Sequence, residues 1–160
     1  MLVVVADTSP IRYLVEIGHI ELLPALFHTV SIPEEVVSEL CGSGAPVAVR
    51  NWINAPPPWL TMHDSIPLHD PALEALDLGE RAAISLGIQL NADIILIDER
   101  KGSIVAADKG FETTGTIGVL HRAAINGLVS FPEVFERLRR TNFRYPRTLV
   151  DALLARHRKP

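Results

Sequence analysis

The sequence is poor in the features that mark several large protein classes. Cys41 is the single cysteine in 160 residues, which excludes an intramolecular disulfide and leaves no cysteine cluster for zinc. Near the end of a helical segment it reads as a small apolar filler. None of the six histidines has a partner at ligand spacing. No apolar run approaches the ~20 residues of a membrane span. The opening MLVVVADTSP lacks the basic flank and small-residue cleavage site of a signal peptide. A soluble, cytoplasmic protein with no membrane association is therefore expected. There is no internal repeat, no low-complexity segment and no Walker or dinucleotide-type glycine loop after a strand.

What is present is apolar mass. Hydrophobic residues make up 48% of the chain, enough to close a sizeable core, and the length predicts one domain spanning 1–160. The net charge of −4 is unevenly distributed. Residues 131–160 hold eight Lys or Arg against three acids, while the remainder holds seven against sixteen. This basic C-terminal extension is predicted to be helical and to pack on the acidic body. An acidic body can hold metal ions and a basic segment phosphates, although a solvated Arg-rich helix accounts for the tail equally simply.

Two segments share one form: LVVVAD at 2–7 and ADIILID at 92–98, each an apolar run closed by an aspartate. Such runs suit strands buried on both faces of a parallel sheet. Helices are expected after Ser9-Pro10, with Ser9 as cap and Pro10 at the first position, then at ELLPALF, from Pro33 through PEEVVSELC, and from about Asp77 onward. ERKGSIVAADKG, TIGVLHRAAING, FPEVFERLRR and RTLVDALLARHR follow, with short strands at HTVSI, WLTMH and FETTG. Residues 42–71, with prolines at 46, 56, 57, 58 and 67, read as connecting material around WLTMH. The alternation predicts a three-layer α/β/α sandwich around a mostly parallel sheet.

In such a sheet the chemistry collects at the carboxyl ends of the strands. Asp7 and Asp98 each follow a strand and would emerge on one edge. The plainer role for either is to turn into the next helix. Glu39 borders an apolar helix face after Val36 and before Leu40, with Glu35 one turn earlier and Glu34 in the first turn. Glu80 heads the stripe Ala83, Ile84, Gly87, Ile88, but Asp77-Leu-Gly-Glu80 also has the spacing of a capping box. Converging carboxylates repel unless a cation offsets them. Oxygen-only ligands select Mg²⁺ or Mn²⁺, and such an ion can activate water against a phosphodiester. A haloacid-dehalogenase-type phosphatase would need an aspartate where Ser9 stands, and a receiver domain would need an acid where Ala6 stands.

The stretches VVVADTSPI, IPEEVVSEL, LDLGERAAISLG, ADIILIDERKG and TGTIGVLHRAAINGLV, in this order, make the chain similar to PIN domains, the small metal-dependent nuclease fold of VapC-type toxins. It most resembles a subgroup sharing DTSP, GE, D-[DE]-RKG and GTxGVL signatures. The resemblance implies that Asp7, Glu39, Glu80 and Asp98 hold the metal, that RNA is the substrate, and that a homodimer and a small antitoxin partner are to be expected. Glu80 stands where the wider family more often has Asp. Glu99 stands where the subgroup often has a second Asp, which leaves open whether Asp98 alone or both acids contribute. Thr8, Ser9 and Thr116 are polar helpers or helix caps, and Arg100 and Lys101 are phosphate contacts or part of a solvated helix start. A binding module that acts through a protein partner, with little catalysis, is the alternative.

Overall fold

The structure, a computed structural model, describes residues 1–64 and 68–158. Pro67 of the proline-rich stretch and Lys159 and Pro160 of the basic tail lie outside the described residues. Five parallel strands, β1 (Val4–Ala6), β2 (Val30–Pro33), β3 (Leu60–His63), β4 (Ile94–Leu96) and β5 (Glu112–Thr114), form a sheet in the order β3-β2-β1-β4-β5. The chain winds outward from β1 to β3, then returns to lay β4 on the other side of β1. The point where the winding reverses therefore lies between β1 and β4, where an α/β sheet opens a crevice at its carboxyl edge.

Burial follows the period of two expected of strands. Val4, Ala6, Ile94 and Leu96 enter the main core with α1 (Thr8–Glu16), α2 (Leu22–Phe27), α3 (Glu34–Cys41), α4 (Val47–Asn54), α7 (Thr116–Ile125) and α8 (Phe131–Arg139). Val5 and Ile95 point the other way, onto α5 (Leu78–Leu90) and α6 (Arg100–Asp108). The last element, α9 (Arg147–His157), joins the main core through Val150. The architecture is the expected α/β/α sandwich.

Four local expectations are corrected. The first strand is Val4–Ala6 rather than 2–6, and Leu2 and Val3 are exposed beyond the pairing partners that β4 supplies. The stretch expected to be connecting material contains α4, a helix that follows Pro46 and buries Val49 and Ile53, four residues apart on one face. Cys41, the last residue of α3, is exposed and fills no gap in the core. Finally, α1 starts at Thr8, so Asp7 and not Ser9 occupies the cap position, and Pro10 is its third residue.

Candidate active site

Asp7 leaves the end of β1 with its backbone amide bonded to the Leu96 carbonyl (2.8 Å), which ties it to the neighbouring strand. Its side chain makes no capping bond to α1, and the residue is only 6% exposed. The carboxyl is pushed up from 3.8 to about 8, chiefly by burial. A bond from the Thr8 backbone opposes the shift, and the charges of Asp77, Glu80 and Glu39 add to it.

Asp98 does not follow β4 directly. The register that pairs Ala6 with Leu96 sets Asp7 abreast of Ile97, so Asp98 lies one residue further on. Its carboxylate turns to α1 and α7. Oδ1 accepts from the Thr116 amide (2.7 Å), and Oδ2 accepts from Thr116 Oγ1 (2.7 Å) and Ser9 Oγ (2.8 Å). Burial raises its pKa, and these bonds act against the rise. Thr8 Oγ1 likewise donates to Glu39 Oε2. Thr8, Ser9 and Thr116 therefore do not cap helices: each hydroxyl fixes an acid. Thr116 does so from a fully buried position behind the cleft.

Glu80 forms the capping box and also lines the cleft. Its backbone amide donates to Asp77 Oδ1 (2.9 Å) and its Oε1 accepts from the Asp77 amide (3.1 Å), completing a capping box at the start of α5. The residue is only 4% exposed yet lines the same cleft as Asp7, Glu39 and Asp98. Burial, then the charges of Asp77 and Glu99, push its carboxyl from 4.5 to about 7 against the capping bond. Glu39 reaches the cleft from α3 across Gly79, where an added Cβ would fall 2.5 Å from its Oε1. A Cβ at Gly115 would fall 2.6 Å from Asp98 Oδ1. The GE and TGT signatures are thus places where backbone makes room for carboxylates.

The cleft encloses about 500 Å³. Glu99, the cap residue of α6, lines it, but the exposed Arg100 and Lys101 do not. Its opposite wall was not anticipated. Arg12 and Tyr13 of α1 meet Asn142, Phe143 and Arg144 from the loop between α8 and α9. Tyr13 donates its hydroxyl to Asn142 Oδ1 (2.7 Å), its ring packs edge-on to Phe143 (4.9 Å), and Arg12 lies over it at 5.1 Å. Arg12 and Tyr13 lie on the α1 turn after Asp7, a proximity available to sequence reasoning. The 142–144 wall is brought in from a distance and carries no local signal.

The four acids surround the cleft without closing on one point. Among the described residues, no three His, Cys, Asp or Glu side chains form a ready-made ion site. None of the ion pairs among the described residues involves the four acids. The donor set nevertheless fits a hard divalent cation: it is all oxygen, and burial and neighbouring acids push its two most buried carboxyls, Asp7 and Glu80, upward, a penalty that a cation would offset. Among the described residues, no helix is long and apolar enough to cross a membrane.

No curated protein matches the chain. The sequence model of the family described as the PIN domain matches residues 3–159, nearly its whole length. With the parallel sheet, the β1/β4 crevice and its ring of acids already placed, this coverage settles the ancestry and with it a nuclease-type function of a class that typically uses divalent metals: the chain belongs to the PIN-domain family.

Proposed function

We propose that the protein is an endoribonuclease that hydrolyses RNA phosphodiester bonds with Mg²⁺ or Mn²⁺, held by Asp7, Glu39, Glu80 and Asp98. The observation that carries this reading is geometric: Asp7, buried at the end of β1, lines one open cleft together with Glu39, Glu80 and Asp98. When bound, the ion supplies an activated water and offsets charge on the leaving oxygen. The residues supply placement. Asp98, with both oxygens already occupied by hydrogen bonds, is the fixed reference of the site. Asp7, which takes a bond from the Thr8 backbone but makes no capping bond, and Glu80, through the Oε2 left outside the capping box, would take up the cation. Glu39 is steered by Thr8.

The similarity to VapC-type toxins extends the proposal to a toxin that works in the cytoplasm as a homodimer and is restrained by a small antitoxin protein. The expected outcome is divalent-metal-dependent cleavage of single-stranded RNA that is lost in Asp7→Asn, with circular dichroism unchanged. Full activity in a folded Asp7→Asn variant would falsify the mechanism. A tight stoichiometric protein complex with no metal-dependent cleavage under any divalent ion would instead establish the binding-module alternative.

A further inference from the structure

Beside the acidic cleft lies a second one of about 380 Å³, between β5 and α7, and the two share Asp98, Phe143 and Arg144. The second cleft has a different character. Apart from the shared Asp98 its lining carries no carboxylate, and Ser103, Thr113 and Arg122 supply hydroxyls and a cation. None of the ion pairs among the described residues involves Arg122 or Arg144. Arg144 is exposed and Phe143 is half-buried against Tyr13, so the boundary between the clefts presents an anchored aromatic ring and a free guanidinium.

We infer that the two clefts form one channel for a single polynucleotide strand, with the reacting phosphate at the acids and the neighbouring nucleotide seated past Phe143 in the Arg122 cleft. The inference rests on the nuclease reading and adds the direction in which substrate leaves the site. An acidic centre repels a polyanion, so affinity must come from cations and stacking surfaces beside it. In such a channel Arg144 would meet one phosphate, Arg122, whose guanidinium lies over the Phe27 ring at 5.2 Å, would meet the next, and Phe143 would stack on a base. Stacking on Phe143 needs an unpaired base, so a single strand rather than a duplex is the expected occupant.

The test uses the intact Asp7→Asn protein, which holds substrate without cutting it, and a fluorescent ten-nucleotide single strand followed by anisotropy at several salt concentrations. Arg144→Ala and Arg122→Ala are each expected to weaken binding about tenfold and to lower the salt slope by about 0.7, as loss of one phosphate contact does on a single strand. Phe143→Leu, which keeps an apolar contact to Tyr13, is expected to weaken binding with the slope unchanged. Arg139→Ala, whose guanidinium is paired with Glu136 and lines neither cleft, is the control. Unchanged affinity and slope in both channel arginine variants overturn the channel, as does binding of a duplex as tight as that of the single strand. Neither result touches the nuclease reading, which stands or falls on cleavage by the unmodified protein.

Discussion

Five small residues in the candidate site do more than their size suggests. Thr8, Ser9 and Thr116 each spend a hydroxyl on a carboxylate, and Gly79 and Gly115 give up a side chain so that one can approach. Gly115 has an extended backbone that alanine tolerates, so its substitution tests proximity rather than conformation. We expect Gly115→Ala to displace Asp98 and lower cleavage on the order of a hundredfold, the scale of a 1 Å error in a reacting group. The overpacking should cost about 1–3 kcal/mol of stability. Gly44→Ala, where a Cβ meets nothing within 4 Å, should leave both untouched. Activity and denaturant midpoints of the two variants decide the matter, and an undiminished Gly115→Ala enzyme would detach Asp98 from catalysis. That Asp7, Glu39, Glu80 and Asp98 line one cleft was expected from the family resemblance, since strand ends and helix borders alone left each acid a plainer role. The role of the hydroxyls was not, because capping and carboxylate support call for the same residues at the same positions.

At the scale of the element, α9 docks on the body partly through a histidine pair. His121 Nδ1 and His157 Nε2 lie 2.8 Å apart, and the His157 ring stacks on Phe131 at 4.9 Å. Two imidazoles share a hydrogen bond only while at least one is neutral. Burial, His157 and Arg156 hold the His121 pKa below its ordinary 6.5. A depressed histidine contributes stability that is present above the ordinary value and lost as pH falls through the lowered one. The amides of α9 are therefore expected to exchange faster at pH 5.5 than at pH 7.5, once intrinsic rates are removed. His157→Phe, which keeps the stack and removes the charge, should flatten the difference. Identical exchange at both pH values would show that the pair does not govern docking. α9 was visible in the sequence as an Arg-rich helix, but α4 was not. Flanking prolines disguised it as loop, although Pro46 before the first turn and the Val49 to Ile53 spacing are themselves helix signals.

For the whole molecule, the buried acids link folding to pH and to metal. The folded pKa values of Asp7 and Glu80, about 8 and about 7, lie above the ordinary 3.8 and 4.5. Between those limits the folded chain holds protons that the unfolded chain releases, so this contribution to stability is lost as pH rises. Chelator-treated protein should thus weaken from pH 5 to pH 8, by up to about 1.4 kcal/mol per pH unit for each group still protonated. Asp7→Asn should flatten the profile. Mg²⁺ or Mn²⁺ should raise the melting temperature more at pH 8 than at pH 6. A pH-independent denaturant midpoint in the chelated protein would contradict the burial of these acids. The sheet and its crevice were readable because parallel strands announce themselves as short apolar runs. The second wall was not, because residues 142–144 reach the cleft, against Tyr13, only through the closure of the entire fold.

That wall sets an order of events for a chain made from its N-terminus. The acids at 7, 39, 80 and 98 are all in place before Asn142, Phe143 and Arg144 are added, more than forty residues later. A growing chain can therefore fold its sheet and gather its acids while one side of the cleft is still missing. The groove that would grip a substrate is completed only after the acids have been laid down, so any hold on a strand comes later in synthesis than the carboxylates it serves.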